Sequence, residues 1–305
     1  MKLIRGLHNI TDADHGCVLT IGNFDGVHLG HKTVLAELRK KSLELNLPAM
    51  LMIFEPHPKE FFTPEAAPAR LTNFREKLTL LQQEELGKIL LVEFNDKVSK
   101  LSAGDFISEL LIKKLGVKYL LIGEDFHFGH KRQGNIELLK EASLKYDFQV
   151  ATVPTLLAEK RRISSTGIRE ALSIGDFARA NELLGYEYSI CGPVQYGDQR
   201  GRTIGFPTAN ISLKRLKSPL RGVFAVSVEG LKSDRVRGVA NLGTRPTVDG
   251  LKTLLEVNLF EFDEEIYGKK IKVIFHRKIR DERKFDSFEE LRRQIQKDSE
   301  AAKLV

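Results

Sequence analysis

Residues 18–45, VLTIGNFDGVHLGHKTVLAELRKKSLEL, pass from a short apolar run through a glycine-rich turn into a helical pattern. Few folds accommodate that succession. Val18–Ile21 predicts a buried strand. Gly22, Gly26 and Gly30 interrupt it, and from Val34 the apolar residues Leu35, Leu38, Leu43 and Leu45 recur at closer to a helical than an alternating period. A helix entered from such a turn points backbone N–H groups, and the positive end of its dipole, at whatever occupies the turn, so an anion is expected there and phosphate above all. His28 and His31, three residues apart around Gly30, fall on one side of the first helical turn. Two imidazole donors there suit a phosphate whose negative charge grows in a transition state. The spacing is not that of a Walker loop, which needs G-x-x-x-x-G-K-[ST]. From these residues alone a zinc pair or two solvated histidines at a helix start stay open. Zinc is the weaker of the two, because Cys17 and Cys191 are the only cysteines and no third ligand stands nearby.

The chain then alternates strand and helix. Strands are predicted at Ala49–Phe54, Ile89–Phe94, Lys118–Ile122 and Gln149–Val153, and helices at Phe74–Leu86, Ala103–Leu115 and Asn135–Tyr146. That order predicts a doubly wound, mainly parallel sheet with ligands at the carboxyl ends of its strands. Two stretches follow such ends. His57 lies between Pro56 and Pro58 in EPHPKEFF, where the prolines are expected to forbid regular structure. In GEDFHFGHKRQG, Asp125, Phe126 and Phe128 read either as ligand contacts or as a turn-former and two core rings. Further on, Ser164, Ser165 and Thr166 precede the helical run Ile168, Ala171, Leu172 and Ile174, so they read as helix caps. Hydroxyls and N–H groups at a helix start also bind phosphate, and Arg161 and Arg169 flank them.

Near Gly185 the texture changes to short alternating strands between glycines, at Gly222–Glu229, Val236–Asn241, Leu254–Phe260 and Lys270–Phe275, with a closing helix at Phe288–Lys297. This pattern predicts an antiparallel sheet or small barrel, and domains of residues 1–185 and 186–305. In GDQRGRTIGFPTANI, Gly201 and Gly205 permit a tightly turning loop and Pro207 fixes the backbone. Thr208 and Asn210 offer hard oxygen ligands of the kind that suit magnesium between protein and nucleotide phosphates; a polar strand start is the other reading. Alternation separates Leu255, Val257 and Leu259 from Leu254, Glu256, Asn258 and Phe260. Glu256 is thus either a solvent-facing strand residue or a carboxylate in a partly covered groove, able to accept a hydroxyl proton.

At 305 residues the chain holds two domains of ordinary size. Its 42% hydrophobic and 29% charged residues contain no apolar run approaching the roughly 18 residues of a membrane span, and no membrane partner is expected. Residues 1–10 lack the apolar core of a secretory signal, and two cysteines make no disulfide framework, so the cytoplasm is expected. Residues 1–185 carry 25 Lys and Arg against 24 Asp and Glu, and residues 186–305 carry 23 against 17. The basic excess of the second part suggests a nucleic-acid-binding module, but its charges are scattered rather than lined along one helix, and acidic small molecules account for them equally. No nucleic-acid partner is therefore expected, and the chain is expected to be a monomer or weak oligomer.

Several of these stretches also resemble a known family. GNFDGVHLGH is similar to the H-x-G-H signature of the nucleotidyltransferase superfamily, in the form found in the FMN adenylyltransferase half of bacterial bifunctional riboflavin kinase/FAD synthetases. FEPHP resembles its F-x-P-H-P motif, and GEDFHFG its G-x-[DN]-F-x-F-G loop, with Asp125 where some members have Asn. Ile163–Arg169 matches I-S-S-T-x-I-R. GFPTAN is similar to the riboflavin kinase signature, and GVANLGTRPTV, LEVNLFEFDEEIYGK and IRDERKFDSFEEL follow in that family's order, so the resemblance spans residues 15–300. It implies a Rossmann-like nucleotidyltransferase domain followed by a small antiparallel β-barrel with a closing helix. The implied activities are phosphorylation of riboflavin to FMN and adenylylation of FMN to FAD, each using ATP with Mg2+. It further implies catalytic roles for His28, His31 and Glu256, the last as proposed base. ATP or phosphate contacts are implied for Gly22, Asn23, Phe24, Gly30, His57, Arg161, Ser164, Ser165, Thr166, Arg169, Gly201, Gly205 and Pro207. Flavin contacts are implied for Asp125, Phe126, Phe128, Asn241 and Arg280, and Mg2+ ligation for Thr208 and Asn210. A single-function adenylyltransferase with a non-catalytic flavin-binding second domain is the alternative.

Overall fold

The computed structural model describes residues 1–153, 157–158, 161–196, 206–231, 235–247 and 250–305; side chains of 157–158, 161–162, 244–247 and 250–252 are outside the description. The chain divides into two units, Met1–Pro68 with Lys77–Ile163, and Ala69–Glu76 with Ser164–Val305.

In the first unit, β1 (Lys2–Arg5), β2 (Cys17–Ile21), β3 (Ala49–Glu55), β4 (Lys88–Glu93), β5 (Val117–Gly123) and β6 (Gln149–Val153) form one sheet in the order β1-β4-β3-β2-β5-β6. Every pairing is parallel. All five residues of β2 are buried, as a strand covered on both faces requires. The connecting helices are α1 (Leu29–Leu45), α2 (Pro58–Phe62), α3 (Phe74–Gln82, of which Phe74–Glu76 belong to the second unit), α4 (Asp96–Ser99), α5 (Ala103–Asp105) and α6 (Ile136–Tyr146). The predicted helix at Ala103–Leu115 is present but changes winding, α5 continuing into a π-helical stretch over Phe106–Lys114 that buries Phe106, Ile107, Leu110 and Leu111. Leu19, Met50, Met52, Leu90 and Leu120 share one core with this stretch. Because β2 lies between β3 and β5, the direction of winding reverses there, and the carboxyl ends of β2 and β5 border the crevice where such sheets bind ligands. One expectation is corrected: EPHPKEFF is not irregular, since Pro58 occupies the first position of α2. Proline lacks an N–H that this position would leave unbonded anyway, and its fixed φ suits a helix start. A short ribbon, β7 (Leu157–Ala158) with β8 (Arg161–Arg162), precedes Ile163.

The second unit carries α7 (Ser165–Ile174) and α8 (Phe177–Leu184), then β9 (Ser189–Gln195), β10 (Ala209–Ile211), β11 (Gly222–Glu229), β12 (Val236–Thr247), β13 (Gly250–Leu259), β14 (Lys270–Arg280) and the closing helix α9 (Phe288–Lys303). The strands close an antiparallel barrel in the order β10-β13-β12-β11-β14-β9. Alternation sends Phe224, Ala240, Leu255, Val257 and Phe275 inward, where each is essentially inaccessible. Val223, Ala225 and Val239 face outward and are covered by Ala302 of α9. The inserted segment 69–76 is stitched to the barrel: Glu76 accepts hydrogen bonds from Cys191 N at 2.7 Å and Arg215 Nη2 at 2.5 Å, and Asn73 Nδ2 donates to the Leu213 carbonyl at 3.2 Å.

Candidate active sites

The glycine-rich turn after β2 folds into a stacked histidine pair. His28 is the N-cap of α1, and its Nδ1 accepts the His31 backbone N–H at 3.3 Å. Neutral His28 therefore carries its proton on Nε2, which leaves that nitrogen a donor. The two rings stack at 3.6 Å between centroids and 17° between planes, and Phe24 continues the stack onto His31 at 4.6 Å. Gly30 makes this possible, since a Cβ there would stand 3.2 Å from the His28 ring and 3.4 Å from the Ile163 carbonyl. Phe24 and Val27, at φ 47° and 38°, are held in the left-handed region, where a non-glycine backbone is strained. Among the described residues Asn23 Oδ1 and His31 Nδ1 are buried without a hydrogen-bond partner. Such orphaned atoms are uncommon and mark a place where a ligand's polar groups fit. Part of the His31 residue reaches solvent, but its ring nitrogen does not. Desolvation first, then electrostatic repulsion by the neighbouring His28 and Lys77, hold its pKa well below 6.5, so the ring is neutral near pH 7.

The neighbouring strand end repeats the device. His57, after β3, is the N-cap of α2; its Nδ1 accepts from Lys59 N at 3.0 Å, and Glu60 Oε2 accepts the His57 N–H at 3.3 Å. Its neutral form also carries the proton on Nε2. After β5, Asp125 is exposed and Phe126 half-buried, whereas Phe128 is a core ring, packed at 5.1 Å on Phe106 and 5.7 Å on Phe126. The structure thus places Gly22, Asn23, Phe24, His28, Gly30, His31, His57, Asp125 and Phe126 beyond the carboxyl ends of the interior strands β2, β3 and β5. Arg161 is described only by its backbone in β8.

Ser164, Ser165, Thr166 and Arg169 belong to the second unit. Ser164 is the N-cap of α7, its Oγ accepting from Gly167 N at 3.2 Å, and Arg169 Nε donates to the Ala69 carbonyl at 2.5 Å. On the barrel, strand pairing puts residues far apart in sequence into one row: Gln195 opposite Asn210, Asn210 opposite Glu256, Glu256 opposite Asn241, Asn241 opposite Val223, and Val223 opposite Arg280. Directly opposed residues share a face with Cβ atoms about 4.5–5.5 Å apart, and the inward burial of Leu255, Val257 and Ala240 sets this row outward. Glu256 is half-buried and flanked by two asparagines. Arg280 closes the row as a fixed wall: its guanidinium binds both oxygens of Asp298 on α9 at 2.7–3.0 Å and donates to the Asp281 carbonyl at 2.9 Å. Pro207 precedes β10, its carbonyl accepting from Asn258 Nδ2 at 2.7 Å, and Thr208 is half-buried beside it. Gly201 and Gly205 lie outside the described residues.

Sequence reasoning passed over two residues. Lys77 is buried at 3% exposure, and its charge reaches His31. It stands one helical turn from Leu81, which is fully buried on α3, and a lysine in register with a core leucine is the signal that could have found it. Gln195 extends the barrel row, and no local pattern marks it.

The FAD synthetase family profile matches residues 10–167, and the riboflavin kinase profile residues 184–305. The bifunctional riboflavin kinase/FMN adenylyltransferase of Escherichia coli K12 is 48% identical over 99% of this chain and 97% of its own length. That of Haemophilus influenzae is 49% identical over 99% and 98%. A crystal structure from Streptococcus pneumoniae, titled a macrolide-efflux protein, superposes with a TM-score of 0.79 at 32% identity over 99% of both chains. Among the described residues no helix is long and apolar enough to cross a membrane.

Proposed function

The chain belongs to the bifunctional riboflavin kinase/FMN adenylyltransferase family, and we propose that residues 186–305 carry the kinase and residues 1–185 the adenylyltransferase. The enzyme makes FMN from riboflavin and ATP, and FAD and pyrophosphate from FMN and a second ATP. The observation that carries the residue assignment is the outward row in which Asn210, Glu256 and Asn241 become neighbours.

In the kinase step the riboflavin 5′-oxygen attacks the γ-phosphorus, the bond to ADP breaks, and the hydroxyl proton passes to a Glu256 carboxylate oxygen. Asn210 and Asn241 orient that carboxylate and the alcohol. Thr208 and Asn210 would hold Mg2+ through neutral oxygens, a donor set that suits a hard cation carrying nucleotide phosphates. When bound, Mg2+ neutralises phosphate charge. Arg280 holds α9 against the barrel and bounds the flavin side of the row.

In the adenylyl step an FMN phosphate oxygen attacks the α-phosphorus and pyrophosphate leaves. The nucleophile is already an anion, so no base is required. The Nε2–H groups of His28 and His57, the N-terminus of α1 and neutral His31 stabilise charge that grows on the triphosphate, with Arg161 as a further phosphate ligand. Asp125 and Phe126 border the flavin, while Phe128 supports them from the core. We place this enzyme in the cytoplasm, as a monomer or weak oligomer. The test is incubation with riboflavin and Mg-ATP followed by chromatography: FMN and FAD should both appear. FAD formed from FMN but not from riboflavin would establish the single-function alternative.

A further inference from the structure

The loop that follows Phe128 holds two cations in a backbone conformation that neither side chain favours. Lys131 (φ 52°, ψ 25°) and Arg132 (φ 57°) are the one consecutive pair of left-handed non-glycine residues among those described. Around them the loop is rigidly anchored. Gly129, at φ 73°, packs so closely that a Cβ would stand 2.7 Å from Ala103 N; His130 N donates to the Leu101 carbonyl at 2.7 Å; and Phe128 bridges Gly134. A loop that already uses glycine at 129 and 134 would lose its strain with glycine at 131 and 132 as well. It carries Lys and Arg there instead, both exposed, and among the described residues neither side chain has an ion pair or hydrogen bond. The identity of these side chains, and not the comfort of the backbone, accounts for the choice, and left-handed strain of this kind gathers at ligand clamps.

The place of the loop says what the cations meet. It leaves β5, which runs parallel beside β2 with Thr20 opposite Leu121, so both strands end on the same side of the sheet, β2 at Ile21 before the histidine turn and β5 at Gly123. Both loops therefore start at the carboxyl ends that border the crevice, and the far part of the second rests on Ser99, Leu101 and Ala103. The histidine turn holds the triphosphate, and in-line displacement brings the nucleophile to the α-phosphorus from the side opposite the leaving pyrophosphate. A second phosphate must therefore be carried by a different element. Resting on the adenylyl-transfer reading of the first unit, we propose that Lys131 and Arg132 bind the phosphate of FMN, steering the attacking anion into the crevice and setting the preference for a phosphorylated flavin.

The test uses the full chain with Lys131 and Arg132 both changed to Gly, comparing KM for FMN, KM for ATP, and melting temperature with the parent. The expected result is a KM for FMN raised on the order of tenfold, the scale of one lost charged hydrogen bond, with KM for ATP within twofold and the melting temperature equal or higher. A merely structural role would instead lower the melting temperature together with activity, and that outcome overturns the proposal. So does an unchanged KM for FMN, or an equal rise for ATP, which would assign the cations to the triphosphate. Should the double variant fail to fold, Arg132→Gln, which leaves the loop backbone as it is, carries the same expectation for FMN. A parent protein that forms no FAD from FMN would refute the reading of the unit itself, a distinguishable result.

Discussion

Glu76→Gln tests whether the inserted segment 69–76 is an integral part of the barrel unit. The Glu76 side chain is 6% exposed and that of Arg215 fully enclosed. Glu76 accepts from Asn73 N at 2.6 Å, Cys191 N at 2.7 Å and Arg215 Nη2 at 2.5 Å, while Arg215 Nη1 donates to the Arg70 and Leu71 carbonyls and the Tyr188 hydroxyl at 3.0–3.2 Å. Glutamine keeps the shape but loses the charge and turns an NH2 group toward one of these donors. Breaking a buried pair from one side costs about 3–5 kcal/mol, because the remaining charge stays desolvated. For a unit of this size each kcal/mol lowers the melting temperature by about 2–4 °C, so a fall of about 6–20 °C is expected. Arg215→Met should cost a similar amount. The double variant Glu76→Met, Arg215→Met should cost clearly less than the two singles together, since it buries no unpaired charge, although the Asn73 and Cys191 N–H groups and the Arg70 and Leu71 carbonyls each lose a partner. Calorimetric melting of the four proteins decides it. A Glu76→Gln protein that melts within about 2 °C of the parent, or strictly additive costs, would refute the coupling.

Three further outcomes are expected. His31→Ala removes one member of the stacked pair, so FAD formation should fall on the order of 10²-fold or more while FMN formation continues; equal loss of both would count against the assignment. Glu256→Gln should slow riboflavin phosphorylation by about 10²–10⁴-fold and leave conversion of FMN to FAD intact, and near-parent phosphorylation would show that Glu256 is not the base. The pH dependence has a definite sign. Folding depresses the His31 pKa below 6.5, so between the folded and unfolded values the unfolded chain binds the proton that the folded chain excludes. The stability that comes from neutral His31 is complete above about pH 6.5 and is lost as pH falls from there toward the folded value, at up to roughly 1.4 kcal/mol per pH unit. Urea unfolding of the parent and of His31→Phe should therefore show a difference that changes between pH 7 and pH 5.5, and a constant difference would be evidence against a buried neutral ring.

What could be read along the chain was whatever depends on near neighbours. The β2 to α1 passage, the alternation of strand and helix, and the Ser164 cap rest on spacing within a few residues, and they stand in the structure close to where spacing places them. The proline-bounded His57 segment was misjudged for a local reason as well, since one proline inside a stretch breaks a helix and one at its first position starts it.

What only tertiary structure decided is the company each residue keeps. Nothing in the spacing of Asn210, Asn241, Glu256 and Arg280 announces a single row; barrel closure and strand register create it, and the same fold commits the Arg280 guanidinium to Asp298. Phe126 and Phe128 are two residues apart and look alike in sequence, yet packing against Phe106 draws Phe128 into the core while Phe126 stays half-buried beside it. Lys77 and Glu76 are adjacent, but one belongs to the sheet unit and the other to the barrel unit. Local sequence sets backbone preference through interactions a few residues long. Burial, charge pairing and the tautomer of a ring depend on atoms brought in from distant parts of the chain, and those exist only once it has folded.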